Sequence, residues 1–164
     1  ASAEEIIRDI LIPWFAPEMR GRIRTFSAAG AAKLEPSVAE FQRLISFVHL
    51  EPVYRDRMWV RADGDPDGVK VIDGIRTKFP YLAAPKAEVF SQPQFENFYP
   101  KEFAERAADA LKTKDKAARN AAKNELRTAV VAWSKANEAE ARAAWAVSAA
   151  EQVALLGQIS AALN

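Results

Sequence analysis

The segment Val60-Arg61-Ala62-Asp63-Gly64-Asp65-Pro66-Asp67-Gly68 constrains this chain more than any other. An apolar run, Met58-Trp59-Val60, leads into it, and a helical pattern, Val69, Ile72, Ile75 and Phe79, leads out of it. The residues between are those of a polar turn that opens a helix, since Asp favours the cap and the first turn. The chain must therefore pass from strand to helix here. Three carboxylates at alternate positions, where a single cap needs one, point to a shared cation. Their hard oxygens suit Mg²⁺ or Ca²⁺ rather than zinc. In open α/β sheets, the carboxyl end of a strand that feeds a helix is where ligands bind.

An EF-hand accounts for only half of these letters. Asp63, Asp65, Asp67 and Gly68 fit its opening, but its twelfth position is Gly74, which cannot coordinate, and its eighth is Lys70, where an apolar residue is usual. The segment before the loop also reads as a strand, not a helix. A polar turn with an Asp-rich helix start is the plain structural alternative.

The rest of the chain reads as alternating elements. Ser2-Ala3-Glu4-Glu5 is a capping box, followed at helical spacing by Ile6, Ile7, Ile10, Leu11, Trp14 and Phe15, with Pro13 and Pro17 limiting the helix. Arg22 to Ser27 alternates and ends at Gly30, as a strand and turn do. Pro36-Ser37 opens a second helix with Val38, Phe41, Leu44, Ile45 and Val48 on its inner face. Arg57 to Ala62 is a strand, the helix after Asp67 ends at Pro80, and Glu88 to Ser91 is a short strand. Helix and strand in alternation imply an α/β fold, a Rossmann-like parallel sheet with crossover helices. Such units normally begin with a strand, so a first strand is expected just upstream of Ala1. Without it, the open sheet edge would make the chain aggregation-prone or a homodimer.

Composition shifts after Pro100. Residues 101–164 are Ala-rich and contain no proline, which predicts helices over about 101–112, 115–135 and 138–163. Ser148-Ala149-Ala150-Glu151 is a second capping box and marks a break in the last of them. Trp145, Val153, Leu156, Ile159 and Leu163 form its apolar stripe. This divides the chain into a domain at 1–100 and a helical subdomain at 101–164.

Bulk properties exclude several classes. With 23 basic and 22 acidic residues, net charge gives no argument for nucleic acid, so only local patches could bind it. The absence of cysteine removes disulfides and thiolate metal sites and fits a reducing, cytoplasmic setting. No apolar run reaches membrane-spanning length, so no membrane partner is expected. There is no P-loop pattern. His49 is the sole histidine and reads as a core or rim residue, which rules out paired-histidine mechanisms.

These pieces resemble a Toprim domain, the metal-dependent fold of type IA and II topoisomerases, bacterial primases and a group of nucleases. Asp63-Gly64-Asp65 matches the family's strand ending in Asp-x-Asp, and Gly30 matches its second turn. Phe95-Glu96-Asn97-Phe98-Tyr99-Pro100 is similar to a Glu-Asn-Tyr-Tyr-Pro segment of the overcoming-lysogenisation-defect (OLD) endonucleases. The family's first motif is Glu-Gly-x-Ser. The chain opens Ala1-Ser2, which places that Glu, a metal ligand or general acid/base in the family, before residue 1. OLD proteins also carry an upstream ATPase domain, so an ATPase in the same or a companion chain is the implied partner.

The resemblance implies Mg²⁺- or Mn²⁺-dependent cleavage or nicking of DNA, with a role in phage defence. Asp63 and Asp65 are the expected first ligands. Asp67 reads equally as a ligand or a helix cap. Glu96 would complete a second metal site, and Glu4 is a further candidate ligand. Lys33, after Gly30, is a candidate for offsetting phosphate charge. Lys112, Lys116, Arg119, Lys123 and Arg127 recur at helical spacings, which reads either as a stripe following a DNA backbone or as a solvated face diluted by Asp115 and Glu125. Phe95, Phe98 and Tyr99 read as base-stacking or as packing aromatics. A non-catalytic metal-binding or assembly module holding an ATPase is the alternative function.

Overall fold

The computed structural model describes residues 2–163. The chain is α/β and mostly helical, with one two-stranded parallel sheet. It separates into two compact units, residues 2–26 with 95–162, and residues 27–94.

In the second unit, helix α3 (Ala31–Phe47) and the single turn α4 (Glu51–Tyr54) precede strand β1 (Val60–Ala62). Helix α5 (Pro66–Lys78) then crosses over to strand β2 (Ala87–Val89). The strands pair in parallel with Val60 opposite Ala87 and Ala62 opposite Val89. Val38, Val60, Ala62, Ile72, Ile75, Phe79, Leu82 and Ala87 form the core beneath. Strands of three residues supply few ladder bonds, so this β–α–β unit rests on that apolar cluster.

Three expectations are corrected here. Residues 23–28 have no regular secondary structure, so the strand expected over Arg22–Ser27 is absent among the described residues. Its alternation is real as exposure, with Phe26 standing out in solvent, but no strand lies alongside to accept its backbone bonds. Helix α3 starts at Ala31, with Pro36 inside it rather than at its start. On its expected inner face, Val38 and Ile45 are buried, whereas Leu44 and Val48 are exposed.

Helix α3 ends in a Schellman motif. Leu50 N–H donates to Ile45 O (2.8 Å) and His49 N–H to Ser46 O (3.1 Å). His49 holds the left-handed position that this motif requires (φ +56°) and is exposed, a rim residue rather than a core one.

In the first unit, helix α1 (Ser2–Ile6) continues through a π-helical turn, Ile7–Leu11, into α2 (Ile12–Phe15). Ile12 N–H bonds Ile7 O across that wide turn. Pro13 lacks an N–H and its ring crowds the preceding turn, so a locally widened helix is where it can be tolerated. The capping box at Ser2 involves a side chain outside the described residues. Its partner Glu5 is paired elsewhere, with Arg127.

Helices α6 (Ala104–Lys112), α7 (Lys116–Ala136), α8 (Glu138–Ser148) and α9 (Ala150–Leu163) complete this unit. The expected break falls at Ala149, where α8 and α9 meet at 87°. Ser148 is not its cap: its buried hydroxyl has no hydrogen-bond partner among the described residues. Trp145, fully buried, donates its indole N–H to Ser134 Oγ (3.0 Å). Among the described residues no single helix is long and apolar enough to cross a membrane, and α8 with α9 reaches that length only across the bend.

Candidate functional site

The Asp-rich turn follows directly from its residues. Asp65 sits at the N-cap of α5 in extended conformation, and its Oδ1 accepts the Gly68 N–H at 2.7 Å. Pro66 takes the first helical position, where its missing N–H costs nothing. Asp67 lies exposed in the first turn, next to the positive end of the helix dipole. Asp63, half-buried, is the first residue beyond β1.

Both glycines are sterically required. A Cβ on Gly68 would lie 1.9 Å from Asp63 O, and one on Gly64 would lie 2.3 Å from Phe90 O. The approach at Gly64 brings the segment after β2 against the turn, and that at Gly68 closes the turn on itself. Gly64 N–H donates to Gln92 O (2.8 Å), and the Gln94 amide reaches Asp65 Oδ2 at 3.4 Å. Asp63 and Asp65 therefore stand at the carboxyl ends of two parallel strands, lined on one side by residues 90–94. Gln94 is the part of this site that motif reading missed, and no local pattern marked it; Gly64 and Gly68 stood in the motif, and the structure adds their steric role.

The donor set fits a hard divalent cation of one kind. Among the described residues no three His, Asp or Glu side chains gather to cage a metal. Mg²⁺ does not need such a cage, since it usually takes one or two carboxylates and fills its remaining positions with water and substrate phosphate. Asp65 gives one oxygen to its cap, and its other carries only the long contact from Gln94, so it retains acceptor capacity. Lys33 lies exposed in the first turn of α3.

The other expected site residues belong to the first unit, where a second polar group forms. Glu96, in the 3₁₀ turn Phe95–Phe98, is 2% exposed, and its Oε2 pairs with Lys123 Nζ at 2.9 Å. One turn further along α7, Arg127 Nε pairs with Glu5 at 3.1 Å. Lys123 and Arg127 thus turn inward. Lys112 pairs with Asp109, Lys116 is exposed, and Arg119 reaches Thr113 O. Glu4 accepts from Arg8 and from the Thr25 hydroxyl, both at 2.8 Å. Phe95, Phe98 and Tyr99 are buried and pack edge to face or tilted on one another, Tyr99 also on Trp145. Comparison with known protein families, curated proteins and solved structures finds no match.

Tyr99 differs from the charged members of this group, which form ion pairs where they are buried. Its buried hydroxyl has no hydrogen-bond partner among the described residues. Burial, then the neighbouring Glu96 carboxylate, push its phenol above the ordinary value of 10.0; Arg127 opposes this and Glu5 adds to it. A raised folded-state value means that the unfolded chain releases the proton first. Stability is therefore unaffected below pH 10 and falls as pH rises beyond it. Tyr99→Phe removes an unpaired buried hydroxyl, so it is expected to gain about 1 kcal/mol at neutral pH and to flatten the alkaline decline. Urea melts at pH 7 and pH 10.5 would check this; a loss at pH 7 would mean that the hydroxyl is hydrogen-bonded.

Proposed function

We propose that this chain is the Toprim-like domain of a divalent-metal-dependent DNA endonuclease of the OLD kind, with Asp63 and Asp65 holding Mg²⁺ or Mn²⁺. The observation that carries the reading is the placement of these two carboxylates just beyond the carboxyl end of β1, in a turn packed so closely that a Cβ at Gly64 or Gly68 would overlap neighbouring backbone. A divalent ion there would stabilise the negative charge that builds up during phosphodiester cleavage. Asp65 is held by its own cap bond and is thereby oriented before substrate arrives. Asp67, exposed beside them, adds negative potential that favours a cation. Glu96 and Glu4 are engaged by Lys123 and by Arg8 with Thr25, so the reading leans on the two aspartates.

Calorimetric titration with Mn²⁺ tests the site. Asp63→Ala and Asp65→Asn are expected to bind at least about tenfold more weakly, a change of ~1.4 kcal/mol. Asn caps helices as well as Asp does, so Asp65→Asn keeps the turn while removing the charge. The same variant should fail to nick supercoiled plasmid under conditions in which the wild type does. Equal Mn²⁺ binding by all three proteins would refute the reading.

A further inference from the structure

We infer that the outer face of α3 and α4 is a self-association surface, on which a second copy of this chain docks about a two-fold axis. The inference is independent of the metal site. Of the large hydrophobic residues exposed among the described residues, most lie within 44–54. Leu44, Phe47 and Val48 share one face of the last turn of α3, at spacings of three and four. Leu50, Val53 and Tyr54 repeat that spacing across α4. Phe47 is 83% exposed, Leu44 is 56%, and the other four are at least 41%. A soluble surface seldom gathers apolar side chains this way without a partner.

Area and charge select a second copy. With an aromatic side chain at ~200 Å², these fractions amount to roughly 500 Å² of apolar surface. One side of a standard interface covers about 800 Å², of which about 60% is non-polar. The patch therefore supplies the apolar share of one complete side. A surface that docks on itself must not carry a rim of one sign, because each charge would meet its own kind. Glu40 and Arg43, one turn back on α3 and both exposed, have opposite signs, so a two-fold arrangement can set each against the other. The helix also explains its own sequence: Leu44 and Val48 belong to an apolar stripe wider than the core beneath α3 covers.

Light scattering with size-exclusion chromatography, and sedimentation over a concentration series, test this on the full chain. The wild type is expected to show a concentration-dependent monomer–dimer equilibrium that 0.5 M NaCl does not weaken. Phe47→Asp should weaken it by at least about thirtyfold, as loss of a central anchor does. Leu44→Asp should act in the same direction, and Val147→Asp, on an exposed valine of α8 in the other unit, should have no effect. Circular dichroism should show the wild-type helix content in all three, since each site is exposed. A wild type that stays monomeric, a dimer unmoved by Phe47→Asp and Leu44→Asp, or equal weakening by Val147→Asp would each overturn the inference. Mn²⁺ binding by Phe47→Asp should be unchanged, which separates this result from that of the metal site.

Discussion

Lys123→Met is expected to destabilise the protein by about 3 kcal/mol, the lower end of the cost of breaking a buried ion pair. Glu96 decides the size of the effect. At 2% exposure its carboxylate lies out of water, and the Lys123 ammonium at 2.9 Å helps to offset its lost hydration. Methionine matches the lysine stem in length, so packing along α7 is retained and the charge alone is removed. Lys123 is itself partly exposed, at 21% of its side chain, which lets solvent soften the loss and places the value low in the range. The double variant Glu96→Gln with Lys123→Met should recover most of the stability, because no charge is then left stranded. Urea unfolding of the two single variants and the double variant forms a mutant cycle that measures the coupling. A loss below about 1 kcal/mol for Lys123→Met would mean that the pair behaves as a surface bridge and that Glu96 is reached by water.

The larger steric effect is expected at Gly68. Helix propensity alone would make Gly68→Ala favourable by nearly ~1 kcal/mol, since the residue lies in the first turn of α5. The added Cβ would lie 1.9 Å from Asp63 O and 3.0 Å from Asp63 C. Those are backbone atoms at the end of β1, and they cannot rotate aside as a side chain can. Relieving the overlap means moving the start of α5 away from the strand, which also breaks the Asp65–Gly68 cap bond. Overpacking of this kind costs about 1–3 kcal/mol and sometimes more; here the top of that range is expected, with the sign opposite to propensity. Gly64→Ala should behave similarly, against Phe90 O and Gln92 O. Thermal melts of both variants check this. A stabilised Gly68→Ala protein would show that the turn relaxes freely, and the rigid placement of Asp63 and Asp65 would go with it.

How the site arises divides along the range over which forces act. The Asp63–Gly68 turn and the break before α9 were readable in advance, although the helix cap fell on Asp65 where Asp67 was the candidate, and Ser148 does not cap the break. Each is decided by bonds and clashes within three or four residues. The alternation of Arg22 to Ser27 was equally visible and misled, because a strand needs a neighbouring backbone and no local pattern supplies one. Pro36 marks a helix start by its own chemistry, yet α3 runs through it, since burial of Val38 and Ile45 outweighs one missing bond. The direction in which Lys123 and Arg127 point was open in the sequence, as a helical stripe of cations looks the same whether it faces water or carboxylates. Glu96 and Glu5, 27 and 122 residues away from those partners in sequence, decided it. The sequence by itself determined where the chain turns and caps. Only the tertiary structure decided which charges are buried in pairs and which apolar face of α3 stays in solvent, because desolvation depends on what packs nearby in space.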